Sequence, residues 1–166
     1  MAPESVRAVI VTVSDSCTRG EREDLSGPRA RDLLRSQGFA CDEIRVVPDE
    51  REAIAAVLRE LCGRGGVRLV VTTGGTGLAP RDVTPEATRA VIDREVPGIP
   101  ELLRAEGARR NPRAVLTRGV AGLAGGVLIV NLPGSVKGVT EGLEALAAVL
   151  PHALEVAGGD AFRCGG

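Results

Sequence analysis

The sequence has no tryptophan and no tyrosine, and its only phenylalanines are Phe39 and Phe162. Proteins that grip single strands stack bases on aromatic rings, so a stacking platform is excluded. Surplus positive charge is missing too: 21 basic residues against 22 acidic ones leave a formal net charge of −1. A general nucleic-acid binder carries a basic excess to neutralise phosphates, and this chain does not. Lysine is nearly absent, since Lys137 stands alone in an otherwise arginine set. Histidine occurs once, as His152, and none of the cysteines at 17, 41, 62 and 164 forms a C-x-x-C pair. That leaves no clustered ligand set for zinc. No apolar run is long: the N-terminal one reaches from Ala8 to Val13, with Glu4 upstream. It is a poor signal peptide and far too short to span a bilayer.

What is present is an ordinary globular balance, 43% hydrophobic and 26% charged. A chain of 166 residues fits one domain and can bury a substantial core without a disulfide framework. The cysteines therefore read as reduced thiols of a cytoplasmic protein. Nothing marks Cys17 as a nucleophile, and His152 reads as a helical surface residue.

Val6–Val13 is β-branched and nearly all apolar, the pattern of a buried parallel strand. Pro28 opens a helix that Gly38 stops. Ala40–Val47 alternates more and suits a strand nearer the sheet edge. Ile54, Val57, Leu58 and Leu61 recur at helical spacing behind Asp49, which with Glu52 resembles a capping box. Arg68–Thr72 is a third strand. Thr84 is expected as the N-cap of a helix with Pro85 at its first position, ending by Val96-Pro97. A short helix over Pro100–Glu106, a turn at Asn111-Pro112 and a short strand over Ala114–Leu116 follow. Val127–Val130 is another buried strand, and Val139, Leu143, Leu146 and Leu150 share one face of a last helix that Pro151 kinks or restarts. The core is expected over about residues 5–157, with a frayed tail after Gly158. Strands alternating with helices predict a three-layer α/β/α domain with a mostly parallel sheet. The polar and glycine residues fall at the strand ends, which share one rim.

The densest such stretch is TTGGTGLAPRDVTPE, residues 72–86. Gly74, Gly75 and Gly77 follow a strand, and successive N–H groups of such a turn form a concave anion site. With Thr76 they read either as a phosphate cradle or as a tight turn joining strand to helix. The stretch is neither a Walker A loop nor G-x-G-x-x-G. Asp82, beside a phosphate, would need an intervening cation and so suits Mg²⁺; the alternative is a solvated loop carboxylate paired with Arg81. Asp49 is open between capping its helix and holding metal. Ser14 and Asp15 end the first strand, either as ligand contacts or as a turn. Gly134 and Ser135, with Lys137 just beyond, form either a second anion loop or an ordinary helix start.

The run TGGTGLAPRDVTPEAT, with VTVSDS at the first strand, VVPDE before the second helix and NLPGSVKG near the end, resembles the molybdenum-cofactor biosynthesis family. That family includes Mog-type molybdopterin adenylyltransferases, MoaB-type relatives and the matching domains of two-domain proteins such as gephyrin. The likeness covers about residues 5–157. It implies the molybdopterin-binding α/β/α fold and transfer of AMP from ATP, with Mg²⁺, to the terminal phosphate of molybdopterin, releasing pyrophosphate. It places the essential acidic pair at Asp49 and Asp82, also as the Mg²⁺ ligands. Nucleotide or pterin phosphate would lie on Gly74, Gly75, Thr76 and Gly77, with Ser14, Asp15, Arg81, Gly134, Ser135 and Lys137 contributing. It further implies a homotrimer, or a hexamer as in MoaB-type members, and hand-over of product to a molybdenum-insertion protein. The alternatives are a MoaB-type pterin-binding protein without transferase activity and a trimerising scaffold domain. Thr117 stands where many members carry serine, which keeps the hydroxyl.

Overall fold

A computed structural model describes residues 5–159. Its sheet has six strands: β1 (Arg7–Val13), β2 (Ala40–Val47), β3 (Val67–Thr73), β4 (Arg94–Glu95), β5 (Ala121–Ala124) and β6 (Val127–Leu132), in the order β2-β1-β3-β6-β5-β4. The four strands β2, β1, β3 and β6 run parallel, while β5 is antiparallel to both β6 and β4. The helices are α1 (Asp15–Thr18), α2 (Ser26–Ser36), α3 (Arg51–Gly63), α4 (Thr84–Arg89), α5 (Gly98–Arg110), α6 (Val136–Leu146) and α7 (Leu150–Ala157).

The central strands are apolar on both faces because helices cover both faces. On one side Ile10, Leu69, Leu128 and Val130 pack with Leu34 of α2, Leu143 and Leu146 of α6 and Leu154 of α7. On the other, Val9, Val11, Val70 and Ile129 meet Ile54, Leu58 and Leu61 of α3 and Ala87 of α4. Each large aliphatic side chain so buried contributes about 1.5–3 kcal/mol. The expected three-layer α/β/α arrangement with a mostly parallel sheet is the one found, and β2 lies at the sheet edge. No helix of the described residues is long and apolar enough to cross a membrane.

Several local expectations are corrected. Residues 114–116 are not a strand but part of a 3₁₀ helix, Pro112–Leu116, because the Asn111 side chain accepts the Arg113 N–H and closes the turn locally. The strand that pairs antiparallel with β6 is β5, joined to it through Gly125-Gly126, both at positive φ. That dipeptide is a hairpin signal in its own right. The helix behind Thr84 ends at Arg89, and β4 takes up part of the expected helical stretch. Helix α5 is longer than expected at both ends. The loop after Ser14 contains a four-residue helix whose N-cap is Ser14, accepting the Cys17 N–H. Pro151 sits at the second residue of α7 and so restarts the helix. The tail expected to fray after Gly158 lies, apart from Gly159, outside the described residues.

Candidate active site at the strand carboxyl ends

Because β1, β2, β3 and β6 are parallel, their carboxyl ends meet on one rim, where open α/β sheets place ligands. The glycine loop leaves β3 there. Gly74 (φ 103°) and Gly75 (φ 69°) take left-handed conformations that L side chains rarely adopt. A Cβ on Gly74 would strike the Val13 carbonyl, and one on Gly75 would strike the Thr84 hydroxyl. The loop is stitched down from both sides. The Gly74 N–H donates to the Leu132 carbonyl at 3.0 Å, and the Thr84 N–H donates to the Gly75 carbonyl at 3.1 Å. Thr84 is not an N-cap: it is the first residue of α4, and its hydroxyl donates to the Gly74 carbonyl at 2.8 Å.

Arg118 completes the loop and escaped the sequence reading. Its backbone N–H donates to the Thr76 carbonyl at 2.8 Å. Its guanidinium donates to the Gly77 carbonyl at 2.9 Å, the Asp82 carbonyl at 2.6 Å and the Glu86 carboxylate at 2.5 Å. No periodicity signals a side chain that reaches a loop some forty residues upstream. Asn131 was also missed. This buried amide donates to the Thr72 and Thr88 hydroxyls, both at 2.9 Å, and accepts the Val120 N–H at 3.1 Å. It ties β3, α4 and the segment ahead of β5 to β6.

The acidic residues form a second cluster. The Asp82 carboxylate accepts the Ala79 N–H at 3.0 Å through Oδ2 and lies against Gly77. Asp49 does not cap α3: the N-cap is Glu50, and among the described residues no side chain caps that helix. Instead Asp49 Oδ2 accepts the Asp15 N–H at 2.9 Å, while the Asp49 N–H donates to Asp15 Oδ1 at 3.0 Å. Arg81 grips Asp15 with two bonds of 2.7 and 2.9 Å. Those Arg81 hydrogen bonds hold the Asp15 carboxyl below its ordinary range. Burial pushes the Asp49 carboxyl up, and the negative charges of Asp15 and Asp82 add to that rise.

A cleft of about 880 Å³ opens over this rim, within the size range of small-molecule sites. Gly75, Thr76, Gly77 and Asp82 line one part of it, Gly134, Ser135 and Lys137 another, and α5 with the 3₁₀ helix forms the facing wall. The two loops touch, since a Cβ on Gly134 would lie 3.2 Å from the Gly74 Cα. Ser135 is the N-cap of α6 and accepts the Gly138 N–H. Lys137 is exposed, with its ammonium 3.8 Å from the Glu141 carboxylate. Ser14, Asp15, Asp49, Gly74 and Arg81 do not line the cleft; Arg81 is spent on Asp15.

The donor set bears on metal. Asp49 Oδ1 and Asp82 Oδ1 accept no hydrogen bond among the described residues, and Asp49 Oδ1 faces the Gly75 turn. Two carboxylates with a free oxygen each suit Mg²⁺, which binds through one or two carboxylates plus phosphate oxygens. Among the described residues no group of three or more acidic, histidine or cysteine side chains could hold a metal alone.

A parallel α/β core with paired glycine loops over a cleft of small-molecule size defines a small-molecule-binding α/β domain. The chain belongs to the probable molybdopterin binding domain family, whose profile it matches over residues 9–152. It is 37% identical over 155 residues to the molybdopterin adenylyltransferase of Helicobacter pylori (strain J99), covering 92% of this chain and 88% of that protein. It is 42% identical over 159 residues to the molybdenum cofactor synthesis protein cinnamon of Drosophila melanogaster, covering 95% of this chain. It spans 26% of the length of cinnamon. The molybdopterin biosynthesis enzyme MoaB of Thermus thermophilus superposes with a TM-score of 0.88 at 52% identity, over 93% of this chain and 97% of that one.

Proposed function

We propose that the protein is a molybdopterin adenylyltransferase, which moves the adenylyl group of ATP onto the terminal phosphate of molybdopterin. The carrying observation is that Asp49 Oδ1 faces Gly75 and Asp82 lies against Gly77 of the same loop, each carboxylate keeping one oxygen that accepts no hydrogen bond among the described residues. The charge of Asp82 adds to the rise that burial imposes on the Asp49 carboxyl, beside a loop shaped for anions, an arrangement suited to a cation shared with phosphate. The likeness to the Helicobacter pylori adenylyltransferase, over most of both chains, supports the same reading.

In the reaction an oxygen of the pterin phosphate attacks the α-phosphorus of ATP. The bond from that phosphorus to the bridging oxygen breaks, and pyrophosphate leaves. Mg²⁺, held by Asp49 and Asp82, would neutralise charge on the phosphates. The protein's own part is positioning: the N–H groups of Gly75–Gly77 and the Gly134-Ser135 loop hold phosphate oxygens, and Arg118 fixes the loop that presents them. Transfers of this kind need alignment and charge stabilisation more than covalent participation. A homotrimer, a cytoplasmic location and hand-over of the product to a molybdenum-insertion protein belong to the same proposal.

A second reading is a MoaB-type pterin-binding protein without transfer, kept because the chain is 52% identical to the Thermus thermophilus protein named MoaB. Pyrophosphate release from Mg-ATP, measured with and without molybdopterin, separates the two. Release that depends on molybdopterin is expected; binding of molybdopterin without release would leave the second reading.

A further inference from the structure

We infer that Arg104 of α5 is the side chain that recognises a phosphate group of the bound ligand from the wall facing the glycine loop. The inference rests on the proposed function only in taking that ligand to be phosphorylated.

Every other arginine of this rim that is part-buried or carries a carboxylate partner is already committed. Arg81 is held by Asp15, Arg118 by Glu86, and Arg110 lies within 4 Å of Glu141 and Glu144. Lys137 faces Glu141. Arg113 has no carboxylate partner among the described residues, but it is exposed, and water solvates it. Arg104 differs from all of these. It is half-buried, yet among the described residues no carboxylate lies within ion-pair distance of it. Among the described residues its only hydrogen-bond partners are the carbonyls of Thr117 and Gly119, reached by one nitrogen, Nη1, at 3.3 and 3.4 Å. Both distances exceed the usual range for such bonds. Those carbonyls orient the guanidinium without neutralising it, and Nε and Nη2 keep their donors.

A part-buried charge without a counter-ion is costly unless something supplies the missing charge. The surroundings show where it comes from. Arg104 lines the large cleft and also an adjoining cavity of about 320 Å³, which share Pro100, Arg104 and Gly119. Its side chain therefore borders the ligand space, and a phosphate accepts two parallel N–H bonds from a guanidinium fork. The segment it also touches, Thr117–Gly119, carries Arg118, the clamp of the glycine loop. Ligand drawn onto Arg104 thus sits between that wall and the loop.

The test is direct binding to wild type, Arg104→Met and Arg104→Lys, titrated separately with ATP, molybdopterin and inorganic pyrophosphate. The Met variant keeps the apolar stem and loses the fork; the Lys variant keeps charge and loses bidentate geometry. Loss of a charge-assisted bond to phosphate corresponds to about 10- to 100-fold in affinity. We expect that loss in the Met variant for ATP or for molybdopterin, a smaller one in the Lys variant, and melting temperatures within a few degrees of wild type. The ligand that weakens identifies whose phosphate Arg104 holds. Unchanged affinity for all three ligands, with only a lower melting temperature, would assign Arg104 to holding Thr117–Gly119 and overturn the inference. Wild type that binds pyrophosphate through Arg104 but neither substrate would overturn the proposed function and leave this site standing. Wild type that binds none of the three overturns both.

Discussion

Asp15 and Asp49 cap each other, each carboxylate accepting the other's backbone N–H at 3.0 and 2.9 Å. The pair joins the end of β1 to the end of β2, with Arg81 closing the far side of Asp15. Asp49, which like Asp15 does not line the cleft, is thereby held with its Oδ1 toward the Gly75 turn. Removing the Asp15 carboxylate in Asp15→Ala frees both Arg81 and the Asp49 N–H. We expect a loss of turnover of about 10- to 100-fold, the scale for misplacing a group beside the reacting atoms. Asp15→Asn keeps one acceptor and should lose less. Steady-state kinetics with saturating Mg-ATP rank the two variants, and equal losses would refute aiming through the acceptor.

Asp82→Asn and Asp49→Asn should each lower turnover about 10²-fold or more, the scale for removing a key electrostatic stabiliser. Their stabilities should diverge from their activities. The Asp49 carboxyl is pushed up by burial and by the charges of Asp15 and Asp82. A group whose folded-state pKa is raised favours the fold when protonated. That contribution is present below its unfolded pKa and is lost as pH rises through the folded value. At neutral pH the ionised Asp49 therefore weakens the fold. Asp49→Asn keeps the oxygen that accepts the Asp15 N–H, so its melting temperature should exceed wild type at neutral pH. The gap should close towards about pH 3, where carboxylates are protonated. A melting curve at each pH decides the sign.

Much of this architecture is written locally. The apolar runs that became β1, β3 and β6 could hardly be anything but buried strands, and the glycines before Asp82 mark a turn at a strand end. What local reading misassigned depends on partners distant in sequence. Asp49 and Glu52 have the spacing of a capping box, but Asp15 offers Asp49 a backbone N–H that the helix does not. Thr84 has the chemistry of an N-cap and spends its hydroxyl on Gly74. Arg81 stands next to Asp82 in a loop that suggests phosphate, yet Asp15 takes two of its guanidinium nitrogens. Arg104 and Arg118 carry no local signal, because their roles come from a cleft that exists only once α5 and the segment before β5 pack against the β3 loop. The β5 strand hid for a simpler reason: Ala-Gly-Leu-Ala has little β propensity, and its place is secured by the Gly125-Gly126 turn and by pairing with β6.

The cysteines give a readout of packing independent of activity. Burial pushes the thiols of Cys41 and Cys62 up to about 11, so the nucleophilic thiolate is scarce at neutral pH. Cys17 is half-buried on α1 beside the rim, a single helical turn with no buried residue of its own. Iodoacetamide at neutral pH, followed by peptide mass mapping, should label Cys17 while Cys41 and Cys62 label only after denaturation. Labelling of Cys41 at the rate of Cys17 would show that the β2 edge opens readily in solution.

The glycine loop makes the strongest prediction for a single methyl group. A Cβ at Gly75 would collide with the Thr84 hydroxyl and lie 3.2 Å from Asp49 Oδ1, in a backbone conformation that already disfavours a side chain. Gly75→Ala therefore disturbs two things at once, the hydroxyl that pins the loop and the carboxylate proposed to hold metal. Strained φ alone costs about 1–3 kcal/mol. Gly98→Ala is the control, because a Cβ there meets nothing within 4 Å and its φ is ordinary. The expected outcome is a stability loss of at least about 2 kcal/mol for Gly75→Ala, together with severely reduced turnover. Gly98→Ala should match wild type in both. Chemical denaturation and pyrophosphate release measured on the same preparations decide it. A Gly75→Ala protein that folds and turns over like wild type would mean that the β3 loop does not need its left-handed turn, and with it the alignment of Asp49, Thr84 and the loop N–H groups would lose its claim on the chemistry.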